Sequence, residues 1–105
     1  SIHLPFNRKN KNLINIKFLK LMKLNACIIN TSRGGIVNEN DLYKVLKNKS
    51  IYSAYFDVLE IEPPKKNNKL LKLENFFISP HIGGSTKESI LKGGFLCIKK
   101  LSQLT

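Results

Sequence analysis

Apolar residues recur along this chain in two rhythms. In "NLINIKFLKLMK" the positions Ile14, Phe18, Leu21 and Met22 fall at helical spacing, which predicts a helix of two to three turns. Asn25 suits a tight left-handed turn after it. "ACIIN" is then a short continuous apolar run, the pattern of a strand buried on both faces. "NENDLYKVLKNKS" reads as a helix. Asn38 or Asn40 can cap it, Glu39 and Asp41 sit in its first turn, and lysines crowd its end, all favourable to the helix dipole. Its inner face is Leu42, Val45 and Leu46. "IYSAYFDVL" is a second strand, rich in β-branched and aromatic residues. "EIEPPKKNN" is a loop, "KLLKLEN" a short turn, and "FFISP" a third strand stopped by Pro80. A last helix is expected from about Thr86, with Gly93 and Gly94 weakening its middle by about 1 kcal/mol each relative to alanine.

Strands alternating with helices imply an α/β fold: a parallel sheet covered by helices. At 105 residues the chain makes one small domain. "SIHLP" reads as the end of a strand already under way, so the chain is expected to begin mid-domain, without the layout of a signal peptide. No run of about 18 apolar residues is present to span a membrane. The net charge of +11 invites a nucleic-acid reading. It is discounted, because the lysines are scattered and arginine occurs only at Arg8 and Arg33, whereas nucleic-acid binders favour arginine with interleaved aromatics. Cys27 and Cys97 lie in separate apolar runs without CxxC spacing. They read as buried small hydrophobes in a reducing, cytoplasmic compartment. His3 and His81 have no Cys or acidic neighbours at ligand spacing, so no metal site is expected.

In a parallel α/β sheet, ligands bind beyond the carboxyl ends of the strands. Each predicted strand ends there in a distinctive group. "ACIIN" runs into Thr31, Ser32, Arg33, Gly34 and Gly35; "YSAYFDV" places Asp57, with Glu60 and Glu62 beyond; "FFISP" runs into His81, Ile82, Gly83 and Gly84. Singly, each has a plain structural explanation: a surface charge, loop carboxylates, a hydrogen-bonded histidine. Together they bring an arginine, a carboxylate and a histidine to one edge of one sheet.

"INTSRGGIVNENDL", "SAYFDVLEIEPP" and "SPHIGGSTKES", in this order and at these separations, resemble the C-terminal half of the NAD-binding domain of the D-isomer-specific 2-hydroxyacid dehydrogenases. "HLP" and "INIKFLKLMK" fit the same family, and "PHIGGST" leans toward its phosphoglycerate dehydrogenase branch. The resemblance implies a partial Rossmann-like, doubly wound parallel sheet with flanking helices. It places residues 1–85 in that half-domain and residues 86–105 in a helix leading back toward a substrate domain. It implies an oxidoreductase that passes hydride between NAD and a small 2-hydroxy or 2-oxo acid, with Arg33, Glu62 and His81 as catalytic residues. Arg33 would hold the substrate carboxylate, His81 would act as general acid and base, and Glu62 would orient the imidazole. Thr31, Ser32, Arg33, Asp57, His81, Ile82, Gly83 and Gly84 would contact the cofactor, and His3 would lie on a loop passing near it. Gly83 and Gly84, lacking Cβ, would let the nicotinamide approach. A homodimer is implied for the full-length protein, with neither nucleic acid nor membrane as partner.

Two features of the family are missing from these residues: the G-x-G-x-x-G fingerprint that seats the pyrophosphate, and the acidic residue about 20 residues on that reads the ribose. Neither Gly34-Gly35 nor Gly83-Gly84 replaces them. The chain is therefore expected to be a fragment with the catalytic trio and half the cofactor site, inactive alone. Its sheet would keep an exposed apolar edge. The rival reading is a non-catalytic dinucleotide-sensing or protein-interaction module on the same fold.

Overall fold

The computed structural model describes residues 1–81. The helix expected from Thr86, and with it Cys97, lies outside the described residues. Three strands, β1 (Cys27–Asn30), β2 (Ser53–Phe56) and β3 (Phe76–Ile78), form a parallel sheet in sequence order. Ile28, Ala54 and Phe76 are in register across it, and so are Ile29, Tyr55 and Phe77. Ile2 extends the sheet past β1 through a parallel bridge to Asn30, which is where "SIHLP" was expected to end a strand.

One sheet face supplies Ile28, Ala54, Phe56 and Phe76 to the core. Helix α2 (Glu39–Lys47) packs there through Leu42, Val45 and Leu46, joined by Leu70 of a 3-10 helix, Lys69–Lys72. On the opposite face Tyr55 stacks on Phe77 with ring centroids 4.8 Å apart, and Tyr55 is buried as well. All four residues of β2 are buried, as a central parallel strand requires. Cys27 is only half-buried, and its Sγ lies 3.0 Å from Ser53 Oγ.

Asn38 caps α2, its Oδ1 accepting from Asp41 N at 3.0 Å. Asn68 does the same for the 3-10 helix toward Leu70 N. The first helix departs from expectation: α1 is a single turn, Ile16–Leu19, capped by Asn15. Ile14 cannot join it, because its N–H donates to Ile36 O and its carbonyl accepts from Asn38 N, pairing it with Val37 as an isolated bridge. Phe18 and Leu21 point outward, and Leu19 is the residue α1 buries. Asn25 sits in a turn closed by Ala26 N on Lys23 O, but the left-handed non-glycine residues described are Asn12, Lys49 and His81.

Candidate active site

The turn after β1 is built around Asn30, the last strand residue and 1% exposed. Its Oδ1 accepts from Ser32 N and from Ser32 Oγ, both at 3.0 Å, and its Nδ2 donates to Arg33 O at 3.2 Å. A single buried amide thus satisfies the backbone of the turn and fixes where Arg33 leaves the sheet. The Arg33 guanidinium is exposed, with Nη1 on Ser32 O at 2.8 Å.

Gly34 and Gly35 have structural reasons. A Cβ on Gly34 would stand 2.0 Å from Leu59 O and 2.6 Å from Glu60 N, so the turns after β1 and β2 touch backbone to backbone. Gly35 has φ +90° and lies under the Phe6 ring, a conformation that favours glycine.

Asp57 follows β2 and is 5% exposed. Its N–H donates to Asn30 O, and its Oδ1 accepts from Ser79 Oγ at 2.6 Å. Ser79 N donates in turn to Phe56 O, which ties the end of β3 to the end of β2. His81 is two residues further, at φ 51°, with its N–H on Ser79 O. The imidazole Nδ1 pairs with Glu62 Oε2, while Glu62 Oε1 accepts from Leu59 N at 3.0 Å. Both side chains of the pair remain partly exposed.

The geometry brings the sequence candidates together unequally. His3, Thr31, Ser32, Arg33 and His81 line one cleft of about 760 Å³ at the carboxyl edge of the sheet. Asp57, Glu62 and His81 line an adjoining cavity of about 340 Å³. His81 alone faces both. Thr31 is exposed at the mouth, and His3 Nε2 bonds Ser1 Oγ at 2.8 Å. Ile82, Gly83 and Gly84 lie outside the described residues. Sequence reasoning passed over Asn30 and Ser79, the residues that tie Arg33 and Asp57 in place. An amide closing an apolar strand run was the available signal.

The parallel sheet therefore carries a histidine, its paired carboxylate and an arginine turn beyond the carboxyl ends of its strands, the edge at which open α/β sheets hold ligands. Residues 1–83 match the family described as D-isomer specific 2-hydroxyacid dehydrogenase, NAD binding domain, and the chain belongs to that family. It is 38% identical to the D-3-phosphoglycerate dehydrogenase of Methanocaldococcus jannaschii over 104 residues, 99% of this chain and 20% of that protein. It is 47% identical to the glyoxylate reductase of Thermococcus litoralis over 89 residues, 85% of this chain and 27% of that one. Among solved structures, it is similar to a D-lactate dehydrogenase from Sporolactobacillus (TM-score 0.72, 32% identity, 87% of this chain and 31% of that one). It is similar too to a D-isomer specific 2-hydroxyacid dehydrogenase from Xanthobacter autotrophicus in complex with NADPH and MES (TM-score 0.71, 32% identity, 75% and 26%). The chain thus spans no more than about a third of the length of these relatives. Among the described residues no helix is long and apolar enough to cross a membrane.

Proposed function

We propose that this chain is the catalytic-edge half of the NAD-binding domain of a dehydrogenase interconverting a D-2-hydroxy acid and its 2-oxo acid. Residues 1–85 form that half-domain, and residues 86–105 lead back toward a substrate domain. The observation that supports this best is the pairing of His81 Nδ1 with Glu62, beside a cleft that His81 shares with Arg33.

The residues present fit the nicotinamide end of a dinucleotide. The cleft lies beyond the carboxyl ends of the strands, and the hydroxyls of Thr31 and Ser32 and the His3 ring line it. When bound, the nicotinamide supplies or accepts the hydride. The chain does the rest. Arg33 presents a planar fork of donors to the substrate carboxylate, which a lysine cannot match in geometry. Glu62 occupies Nδ1 and so leaves Nε2 as the nitrogen that exchanges a proton with the substrate oxygen. In reduction His81 gives that proton as the carbonyl carbon gains hydride, and in oxidation it takes the proton back. Asp57, its Oδ1 fixed by Ser79, lines a cavity with His81 and offers the cofactor a further polar group.

The carboxylate-binding role of Arg33 sets the substrate class; 3-phosphoglycerate is the first member to try, with glyoxylate and hydroxypyruvate beside it. The test is turnover by the full-length protein with NADH and NADPH. His81→Ala should lower kcat by about 10²- to 10⁴-fold with the cofactor still bound. Arg33→Lys should instead raise KM for the acid. Cofactor binding without turnover of any such acid by the unaltered protein would replace this reading with a dinucleotide-sensing module.

A further inference from the structure

The turn that bears Glu62 is held unusually. Among the described residues, no backbone-to-backbone hydrogen bond involves residues 58–64. Two side-chain carboxylates take its amides instead. Glu62 Oε1 accepts from Leu59 N, and Glu39 Oε1, reaching across from the first turn of α2, accepts from Glu60 N at 2.7 Å. Gly34 closes the same turn from its other side, with no room for a Cβ against Leu59 O. The Leu59–Glu60 peptide is therefore fixed by groups outside its own loop.

We propose that Glu39 is a positioning residue for the proton-transfer pair: by holding Glu60 N it sets where Glu62, two residues on, meets His81. Helix α2 is anchored in the core through Leu42, Val45 and Leu46, so Glu39 transmits the rigidity of the core to an otherwise exposed turn. Burial pushes the Glu39 carboxyl up, the Glu60 N–H draws it part of the way back, and the nearby Glu60 carboxylate adds to the rise. Lys65, Lys69 and Tyr43 line a pocket together with Glu39 and Glu60. Proton transfer is sensitive to such placement, because a misplacement of about 1 Å can lower turnover on the order of 10²-fold.

The inference rests on the catalytic reading of His81 and Glu62, and the experiment separates the two. In the full-length protein, Glu39→Ala should lower kcat about tenfold while KM for the acid stays within about twofold, since Arg33 is anchored independently by Asn30. Amide hydrogen exchange at Glu60 should quicken. Glu39→Gln, which keeps an oxygen for Glu60 N, should restore both. Glu39→Asp, which withdraws the carboxylate by one methylene, should give the alanine phenotype and serves if the alanine variant folds poorly. Unchanged kcat and exchange in these variants, or a glutamine variant as slow as alanine, overturns the proposal. Glu62→Ala is measured in parallel. If it leaves kcat untouched, the catalytic reading itself falls; if it slows turnover and Glu39→Ala does not, only the role of Glu39 falls.

Discussion

The turns after β1 and β2 perform the same task, each presenting a charged side chain at the carboxyl edge of the sheet, but they are secured by different chemistry. The first is held from within. Asn30 is buried and neutral, and it spends its amide on the backbone of residues 32 and 33. The second is held partly from without: Glu39 reaches across from α2 to Glu60 N, beside the turn's own Glu62 on Leu59 N. A buried amide does not titrate. The Glu39 carboxyl does, raised by its burial, so the second arm is tunable through Glu39. The two arms meet where Gly34 lies against Leu59.

Forcing that meeting point apart should have the largest effect. Gly34→Ala drives a Cβ into the backbone of Leu59 and Glu60, which cannot swing away as a side chain could. Overpacking of this kind destabilises by about 1–3 kcal/mol or more. Here it should show as a lower denaturation midpoint together with loss of turnover, because Arg33 and Glu62 move relative to each other. Asn30→Ala comes next. It strips the first turn of its three bonds and leaves the Arg33 carbonyl unpaired near the core, at a cost of about 1–3 kcal/mol. The kinetic damage should fall on KM for the acid, the mirror image of the Glu39→Ala split. Asn30→Asp sharpens the contrast. It keeps the acceptor for Ser32 but turns a carboxylate oxygen toward Arg33 O, so it should recover only part of the loss.

The smallest effect tests the tunable arm. The Glu39 carboxyl is raised above its ordinary 4.5, so its ionisation opposes folding. Stability is greatest with the carboxyl protonated, below the unfolded value, and is lost as pH rises through the raised folded value. Glu39→Gln should therefore be slightly more stable than the unaltered protein at neutral pH, by under about 1 kcal/mol, with the difference shrinking as pH falls toward 4.5. Urea denaturation at several pH values reads this directly. A difference that grows on acidification would show that the carboxylate is stabilising instead.

The fold was legible wherever pattern and burial coincide. Leu42, Val45 and Leu46 lie on one side of α2 because their spacing matches the helix, but the burial on both faces expected of ACIIN is not found: β1 alternates half-buried and buried, and the central strand β2 is the one covered throughout. The helix expected across residues 12–23 contracted to Ile16–Leu19 for a reason periodicity cannot register. Ile14 is claimed by a bridge to Val37, more than twenty positions away, and Asp41 Oδ2 takes Ile16 N at 2.9 Å. The helix-dipole role assigned to Glu39 and Asp41 was similarly incomplete. Both carboxylates reach out of α2 to amides of other segments.

The sequence by itself determined the alternation of strand and helix, an asparagine cap for α2, and the order in which Arg33, Glu62 and His81 follow their strands. Those properties are local, written in spacing and residue type, and a parallel sheet then carries strand ends to one edge. Only the tertiary structure decided that His81 meets Glu62, that His81 shares one cleft with Arg33 and another with Asp57, and that Gly34 serves contact with Leu59. These depend on how far each strand extends and how each turn closes. Bonds across long sequence separations set those distances, and no window of residues contains both partners.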